Sequence, residues 1–523
     1  MAKENTILTA VKMLLEQEKR PMHYMEITKE ILARGLWETK GAAPHNTVLT
    51  VIRRDDIEAK AASSVFKRTG PGTFALRAWP EYAEYGQVPL DVSLRIDELI
   101  VENFRCFEKQ AFKFTPAFNI LIGDNGAGKT AILDALAIAL GAFLQEIGNV
   151  EAPILKLNDV RLRPIRKGDT LTAEPQFPVS LTCSSSLPGQ TIQWERRLSE
   201  PNKTARNQQI IELKELANLV RQQVSAGENT TLPVIAYYRT DRLWRLAAMN
   251  ERAKIGSRFD GYKDCLAPGS HTADLIEWMI WQETITLQER TSDPLYPPVK
   301  AALVECVEGW VDIVFHACER KLQALFQDGR LLPFDLLSDG QRNMLGMIAD
   351  IAYRCALLNP HLAEHSRKDT SGVVLIDEID LHLHPKWQRS VIENLRHTFP
   401  QIQFIATTHS PFIIQSLRPG ELIDLTRTAK GEYVNRSLED IVETVMNIPV
   451  PQRSQRYQKM YEVAQEYYRL LGQGKMASAE QVEAIKQKLN ELVEPFSDNV
   501  AYYAFLGMKR AAAGLGGNDH ETD

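Results

Sequence analysis

Three segments near the start of the chain carry apolar residues at helical spacing. They cover residues 4–17, 25–37 and 45–60. The segment 63–79 follows, with two short runs of strand-forming residues on either side of Thr69-Gly70-Pro71-Gly72, which is a turn signal. Three helices and a hairpin predict a winged helix over residues 4–80.

The pattern then changes to alternating apolar strands and helices. Prolines and a glycine without periodicity at 80–89 indicate a linker at 81–92. Beyond it, strand-rich runs precede a glycine-rich turn and an apolar helix at 131–147, and GVVLIDEID and IQFIATTHS have the composition of buried strands. We therefore expect an α/β domain over 93–436 with a helical insertion at about 150–330, a helical region at 437–515 and a disordered tail at 516–523.

The segment GDNGAGKT fits the phosphate-loop pattern GxxxxGK[ST] and stands between an apolar strand and a helix, as that pattern requires. Its glycines allow backbone N–H groups to surround phosphate oxygens, its lysine adds a positive charge, and its threonine hydroxyl can bind Mg²⁺. A glycine-rich turn without a ligand is the alternative. The predicted nucleotide contacts are Gly123, Asn125, Gly126, Ala127, Gly128, Lys129 and Thr130.

Two carboxylates end the hydrophobic run VVLIDEID. Ligands of open α/β sheets bind at the carboxyl ends of the strands, so Asp377 and Glu378 are placed for chemistry there. We expect Asp377 to hold Mg²⁺ and Glu378 to polarise the attacking water. Solvated acids at a strand end are the alternative, which the upstream phosphate loop disfavours.

Two further motifs complete the set. LSDGQ, from Leu337 to Gln341, precedes a helix with a continuous apolar face, and a serine and glycine at a helix N-terminus form an anion site. An ordinary N-cap without a ligand is the alternative. His409 follows the run IQFIATT, and a structural histidine is the alternative to a catalytic one.

The order of these four motifs resembles that of the ABC-type ATPases, and LSDGQ is similar to their LSGGQ signature, with Asp339 at the position of a glycine. The resemblance implies that Ser338, Gly340 and Gln341 bind the γ-phosphate of ATP held by another copy. It also implies that His409 is the switch histidine, which contacts the γ-phosphate. A homodimer or higher even oligomer of ATPase heads is the expected assembly.

Further segments of the chain resemble one branch of that class. VENFRCF resembles the first strand of the RecF, SMC and OLD ATPases, which implies nucleotide binding by Arg105, with a surface charge as the alternative. VIAYYRTDRLW, RFDGYKDCL, FDLLSDGQRNML and DEIDLHLHPKWQ resemble the PtuA ATPases of Septu and certain retron anti-phage systems. This implies a sensor or regulator of a partner nuclease, of HNH type in the PtuA case, or of another effector. A RecF-like repair ATPase without an effector is the alternative.

The N-terminal unit differs in charge from the rest of the chain. Residues 4–80 are net positive within a chain of net charge −6. The unit resembles the HARE-HTH winged helix, and DNA is its candidate partner, with a docked protein as the alternative. The candidate DNA-contacting residues are His45, Asn46, Thr47, Arg53 and Arg54 on the recognition helix and Lys67 and Arg68 in the wing.

The cysteine spacing and the length of the apolar runs indicate the cellular compartment. The six cysteines show no CxxC pair or zinc-like spacing, which favours a reduced cytoplasm and structural thiols. We also expect no signal peptide and no apolar run close to the roughly 20 residues of a membrane span. The prediction is a cytoplasmic protein without a membrane partner.

Overall fold

A computed structural model describes residues 2–39, 44–55, 64–70, 72–82, 92–147, 150, 152–167, 170–187, 190–201, 205–208, 210–240, 257–266, 272–289, 293–316, 318–319, 321–426 and 436–446, with isolated short stretches beyond residue 458. The chain forms two compact units, Met1–Asn435 and Arg436–Asp523. Most of the linker predicted at 81–92, most of the helical region predicted at 437–515 and the whole tail predicted at 516–523 lie outside the described residues.

The first unit begins with a winged helix. Its elements are α1 (Ala2–Glu18), β1 (Met22–His23), α2 (Tyr24–Ala33), α3 (Pro44–Arg53), β2 (Phe66–Gly70) and β3 (Thr73–Leu76). The strands pair in the order β1-β3-β2, and fully buried Leu14, Ile27, Val48 and Phe66 join the helices to the sheet. The predicted three helices and hairpin are therefore present.

One predicted wing residue has a different role. Lys67 is buried, and its ammonium group donates to the backbone carbonyl of Trp79. Arg68, the next residue, is only partly buried, and successive side chains of a strand point to opposite faces. The expectation that Lys67 contacts phosphate from the wing is wrong, because its ammonium group binds the backbone carbonyl of Trp79 in the segment after the hairpin.

The head follows, and its first half supplies strands to three sheets. In chain order it contains β4 (Glu98–Phe104), β5 (Phe107–Lys113), β6 (Phe118–Ile122), α4 (Lys129–Ile147), β7 (Leu162–Lys167), β8 (Thr170–Pro175), β9 (Val179–Leu187), β10 (Gln190–Leu198), β11 (Arg206–Gln208), α5 (Ile211–Ser225), β12 (Val234–Tyr238) and α6 (Thr272–Glu289). The second half contains α7 (Tyr296–Cys306), β13 (Trp310–His316), β14 (Lys321–Phe326), β15 (Leu331–Pro333), α8 (Asp339–Leu358), α9 (Ser366–Asp369), β16 (Gly372–Ile376), α10 (Pro385–Thr398), β17 (Ile402–Thr407), α11 (Pro411–Gln415) and β18 (Leu422–Asp424). The second unit contributes α12 (Leu438–Thr444).

A parallel sheet of five strands, in the order β12-β16-β17-β6-β18, forms the centre of the head. Every residue of β6, β12, β16 and β17 is buried, which explains their largely apolar sequences. Because all strands run in one direction, their carboxyl ends meet at one edge. The phosphate loop, the acidic pair and the segment leading to His409 follow β6, β16 and β17 at that edge.

An antiparallel sheet, β11-β10-β9-β4-β5, covers the other side of α4. Trp194 Nε1 and Arg196 Nε on β10 donate to the α4 carbonyls of Ala139 (2.9 Å) and Ile138 (3.1 Å). The segment expected to be a helical insertion is thus only partly helical: its strands β9 and β10 build this sheet, and β12 joins the parallel sheet. Helices α5, α6 and α7 account for its helical part.

Helix α4 lies between the two sheets. By length and composition it is the one helix among the described residues that could cross a membrane, although Asp134 interrupts its apolar run. Within the structure 83% of that apolar stretch is buried, and the helix begins in the phosphate loop. Its apolar surface is therefore the core of the head. All six cysteines are free thiols.

Candidate active site

The phosphate loop leaves β6 and enters α4 through backbone that only glycine adopts readily. Gly126 and Gly128 have φ of +85° and +97°. A Cβ at Gly128 would lie 2.5 Å from the ring of Phe107 and 2.6 Å from the sulfur of Cys106, at the turn between β4 and β5. This turn packs directly on the loop, so glycine is required at residue 128 for both its φ and the close approach.

The ammonium group of Lys129 lies across the loop. Lys129 Nζ donates to the carbonyl oxygens of Gly123 (2.7 Å) and Asp124 (3.1 Å). Burial lowers the pKa of Lys129, although the carboxylates of Asp377, Asp124 and Glu378 act in the opposite direction. The lysine charge is therefore held over the concave side of a loop whose shape suits a phosphate group.

A buried carboxylate connects the loop to the neighbouring strands. Asp377 is 5% exposed, and its oxygens accept hydrogen bonds from Thr130 Oγ1 (3.0 Å) and Thr407 Oγ1 (2.7 Å). The Thr407 hydroxyl in turn accepts from the backbone N–H of Glu378 (2.7 Å). One threonine at the end of β17 thus orients both members of the acidic pair.

The oxygen atoms of Thr130 and Asp377 are of the kind that Mg²⁺ prefers. Among the described residues no group of three or more His, Cys, Asp or Glu side chains could hold a metal ion by itself.

Glu378 and His409 are more accessible than Asp377. Glu378 has a φ of +50°, in the left-handed region that non-glycine residues rarely occupy, and its side chain is partly exposed. His409 is exposed and follows β17 by two residues. Both predicted catalytic residues therefore stand at the edge where the phosphate loop lies.

The predicted signature forms the N-terminus of α8. Ser338 caps the helix: its hydroxyl accepts from Gln341 N (3.3 Å), and the Gln341 side-chain oxygen accepts from Ser338 N (3.0 Å). A Cβ at Gly340 would lie 1.9 Å from the carbonyl oxygen of His382, so this glycine permits contact between the signature and the segment after β16. In the described part of the chain, the bonds of Ser338 and Gln341 stay within the cap.

Arg105 lies close to the phosphate loop, but its guanidinium is held by carboxylates. It pairs with Asp134 (2.6 Å) and Asp159 (2.8 Å), and its backbone has a φ of +48°. Burial alone would lower the pKa of Arg105, but these two carboxylates raise it. The structure thus places Arg105 beside the site, and its binding to nucleotide stays a prediction.

Asp134 is the centre of a polar cluster that the sequence did not indicate. Besides Arg105, it binds the Tyr237 hydroxyl (3.0 Å) and the Arg239 guanidinium (3.3 Å) at the end of β12. Its position four residues after Thr130 on α4 was the available signal, because residues four apart share a helix face. Thr407 was also missed, although it precedes His409 in the same segment.

Family models match three parts of the chain: HARE-HTH, whose description includes a restriction endonuclease HTH domain, at residues 5–79, an AAA domain at 98–292 and an AAA ATPase domain at 280–414. The retron Ec83 probable ATPase of Escherichia coli is 26% identical over 462 residues, 74% of this chain and 81% of that protein. The chain is an ATPase that is similar to those of retron systems.

Other relatives of this ATPase cover smaller shares. The retron Vc95 probable ATPase of Vibrio cholerae serotype O1 biovar El Tor is 26% identical over 62% of this chain and 72% of its own length. The Septu protein PtuA of Bacillus mycoides is 39% identical over 103 residues, 20% of this chain and 14% of that protein. The SMC head domain from Thermotoga maritima superposes with a TM-score of 0.37 at 13% identity, over 63% of this chain and 94% of that structure.

Replacing Thr407 with valine tests how the acidic pair is positioned. Thr407→Val removes the hydroxyl that binds both Asp377 and the Glu378 N–H, so we expect kcat for ATP hydrolysis to fall by about 10- to 100-fold. Thr407→Ser keeps the hydroxyl and should stay within about threefold of the wild-type rate. Steady-state kinetics on both variants, with thermal unfolding as a check of folding, gives the comparison. A valine variant with wild-type kcat would remove Thr407 from this role.

Proposed function

We propose that this ATPase binds ATP with Mg²⁺ at the carboxyl edge of its parallel sheet and acts as the nucleotide-gated subunit of a bacterial anti-phage defence complex. The observation that carries the chemistry is the buried Asp377 carboxylate, which reaches the phosphate-loop hydroxyl of Thr130 at 3.0 Å. The relation to retron and Septu ATPases supports the biological setting.

Each residue at this edge has a proposed task. The N–H groups of residues 123–130 and the Lys129 ammonium bind the β- and γ-phosphates. Thr130 and Asp377 would hold Mg²⁺, which neutralises phosphate charge when bound. Glu378 orients the attacking water, and His409 contacts the γ-phosphate. Asp134 keeps Arg105 beside the nucleotide.

Two heads are proposed to share each ATP. The N-terminus of α8 is an anion site, and Ser338 there is exposed with its hydroxyl directed into its own cap rather than to the phosphate loop of the same chain. This arrangement supports a trans site, in which Ser338, Gly340 and Gln341 of one copy close over the ATP of another. A homodimer or higher even oligomer is the proposed active form.

The assembly is proposed to work in the cytoplasm with an effector and with DNA. A nuclease, of HNH type if the PtuA relationship extends to partners, or another effector would act when phage DNA or a phage protein alters the nucleotide state. The winged helix is the proposed DNA-binding part, because Asn46 and Thr47 are exposed at the start of α3 and Arg68 lies in the wing.

Glu378→Gln should retain ATP but lose turnover, because the amide keeps the shape of the side chain and removes the carboxylate that orients water. We expect a fall in kcat of about 100-fold or more with ATP accumulating on the protein, measured by rapid filtration. Glu393→Gln, at an exposed position on α10, is the charge-matched control and should behave as wild type. Hydrolysis by Glu378→Gln at the wild-type rate would exclude Glu378 as the catalytic carboxylate.

Phage challenge tests the defence role. A strain carrying the native operon should lose protection when this gene carries Lys129→Ala, because loss of the phosphate-binding charge removes ATP-dependent gating. Mass spectrometry of proteins that co-purify with the wild-type chain should identify the effector. Full phage protection by the Lys129→Ala operon, with no co-purifying protein, would favour a RecF-like repair role without an effector.

A further inference from the structure

Helix α5 of the head packs against the winged helix. Ile211, its first residue, contacts the apolar core of the winged helix. Glu212 lies 3.6 Å from His23 Nε2. Glu215, one turn along, lies 3.4 Å from Arg68 Nη1 and accepts from Gly72 N at the same distance, and it also pairs with Arg53. An acidic helix edge therefore faces the recognition helix and the wing together.

The contact neutralises charges that repel each other. Burial and the nearby positive charge of Arg68 both lower the pKa of Arg53. Glu215 is the carboxylate that reaches both guanidinium groups, and its side chain is only 11% exposed. A carboxylate this far from water is stable only when paired, and removing it takes away the carboxylate that contacts both Arg53 and Arg68, with Glu212 remaining near Arg53. The contact thus depends on Glu215.

These two arginines are also the groups that a winged helix would turn toward a duplex. Arg53 ends α3, and Arg68 lies in the wing. A phosphate and a carboxylate are both oxyanions that bind guanidinium groups in the same way. Arg53 and Arg68 cannot bind a DNA phosphate and the Glu215 carboxylate at full strength at the same time. Asn46 and Thr47, at the other end of α3, are exposed and can make the first contact with DNA.

We propose that α5 is an acidic docking surface that covers the phosphate-binding edge of the winged helix, and that duplex DNA competes with Glu215 for Arg53 and Arg68. The inference rests on the proposed DNA binding by the winged helix and adds its regulation. The winged helix cannot bind DNA and α5 at the same time. DNA binding therefore releases the winged helix from α5, and this release is the signal to the head.

The experiment compares two single substitutions in the full chain that each remove one negative charge. Glu215→Gln breaks the contact, and Glu228→Gln, at an exposed position just beyond α5, is the matched control. A fluorescein-labelled duplex is titrated at ~50 mM salt, where phosphate contacts are strong. We expect Glu215→Gln to bind about tenfold more tightly than wild type and Glu228→Gln to stay within about twofold. Adding Arg68→Ala to Glu215→Gln should reverse the gain.

Hydrogen exchange without DNA measures docking separately. Peptides covering β2–β3 and α5 should exchange faster in Glu215→Gln than in Glu228→Gln, while peptides of α2 stay protected, which shows that the winged helix is folded. Unchanged exchange in Glu215→Gln, or equal DNA affinity of Glu215→Gln and Glu228→Gln, would overturn the proposal that α5 covers the winged helix. The proposed DNA binding would still stand in that case if Arg68→Ala weakens the affinity for the duplex. Faster exchange with no DNA binding by any variant would overturn the proposed DNA function and this inference with it.

Discussion

The buried carboxylate of Asp377 is the constraint on which the rest of the site depends. It lies directly after β16 at 5% exposure, where a buried polar group needs hydrogen-bond donors. Thr130 and Thr407 provide them, and these residues come from the helix after β6 and from the end of β17. Three neighbouring elements are thereby fixed relative to one another, which brings the phosphate loop and the acidic pair to one edge.

The signature helix is linked to the same sheet through a second polar contact. Asp350, in the middle of α8, accepts from the Tyr238 hydroxyl (2.6 Å) at the end of β12, and Arg354 pairs with the same carboxylate (2.8 Å). Burial alone would lower the pKa of Arg354, but the Asp350 carboxylate raises it above its ordinary value. At its N-terminus the same helix meets the His382 carbonyl through Gly340. The same helix therefore contacts both the segment after β16 and the end of β12.

Short-range sequence patterns predicted the features that depend on residues close together in the chain. The glycines and lysine of the phosphate loop, the run ending at Asp377 and Glu378, the cap at Ser338 and the three helices with a hairpin all follow from short-range spacing. The contacts of Arg105 with Asp134 and Asp159 did not, because they join residues that are 29 and 54 positions apart. Lys67 was expected to contact DNA phosphate from the wing, whereas the backbone carbonyl of Trp79 gives it a buried partner. The membership of β9 and β10 in a sheet with β4 was not predicted either, because it depends on pairing across the chain.

The proposed mechanism depends above all on hydrolysis of ATP between two heads, with the phosphate loop of one copy and the α8 cap of another. The most direct measurement is the hydrolysis rate per chain across a dilution series, with the mass of the particles determined at each concentration. We expect the rate per chain to fall as two-headed particles dissociate and to recover on reconcentration. A constant rate per chain in samples that contain only monomer would contradict hydrolysis between two heads.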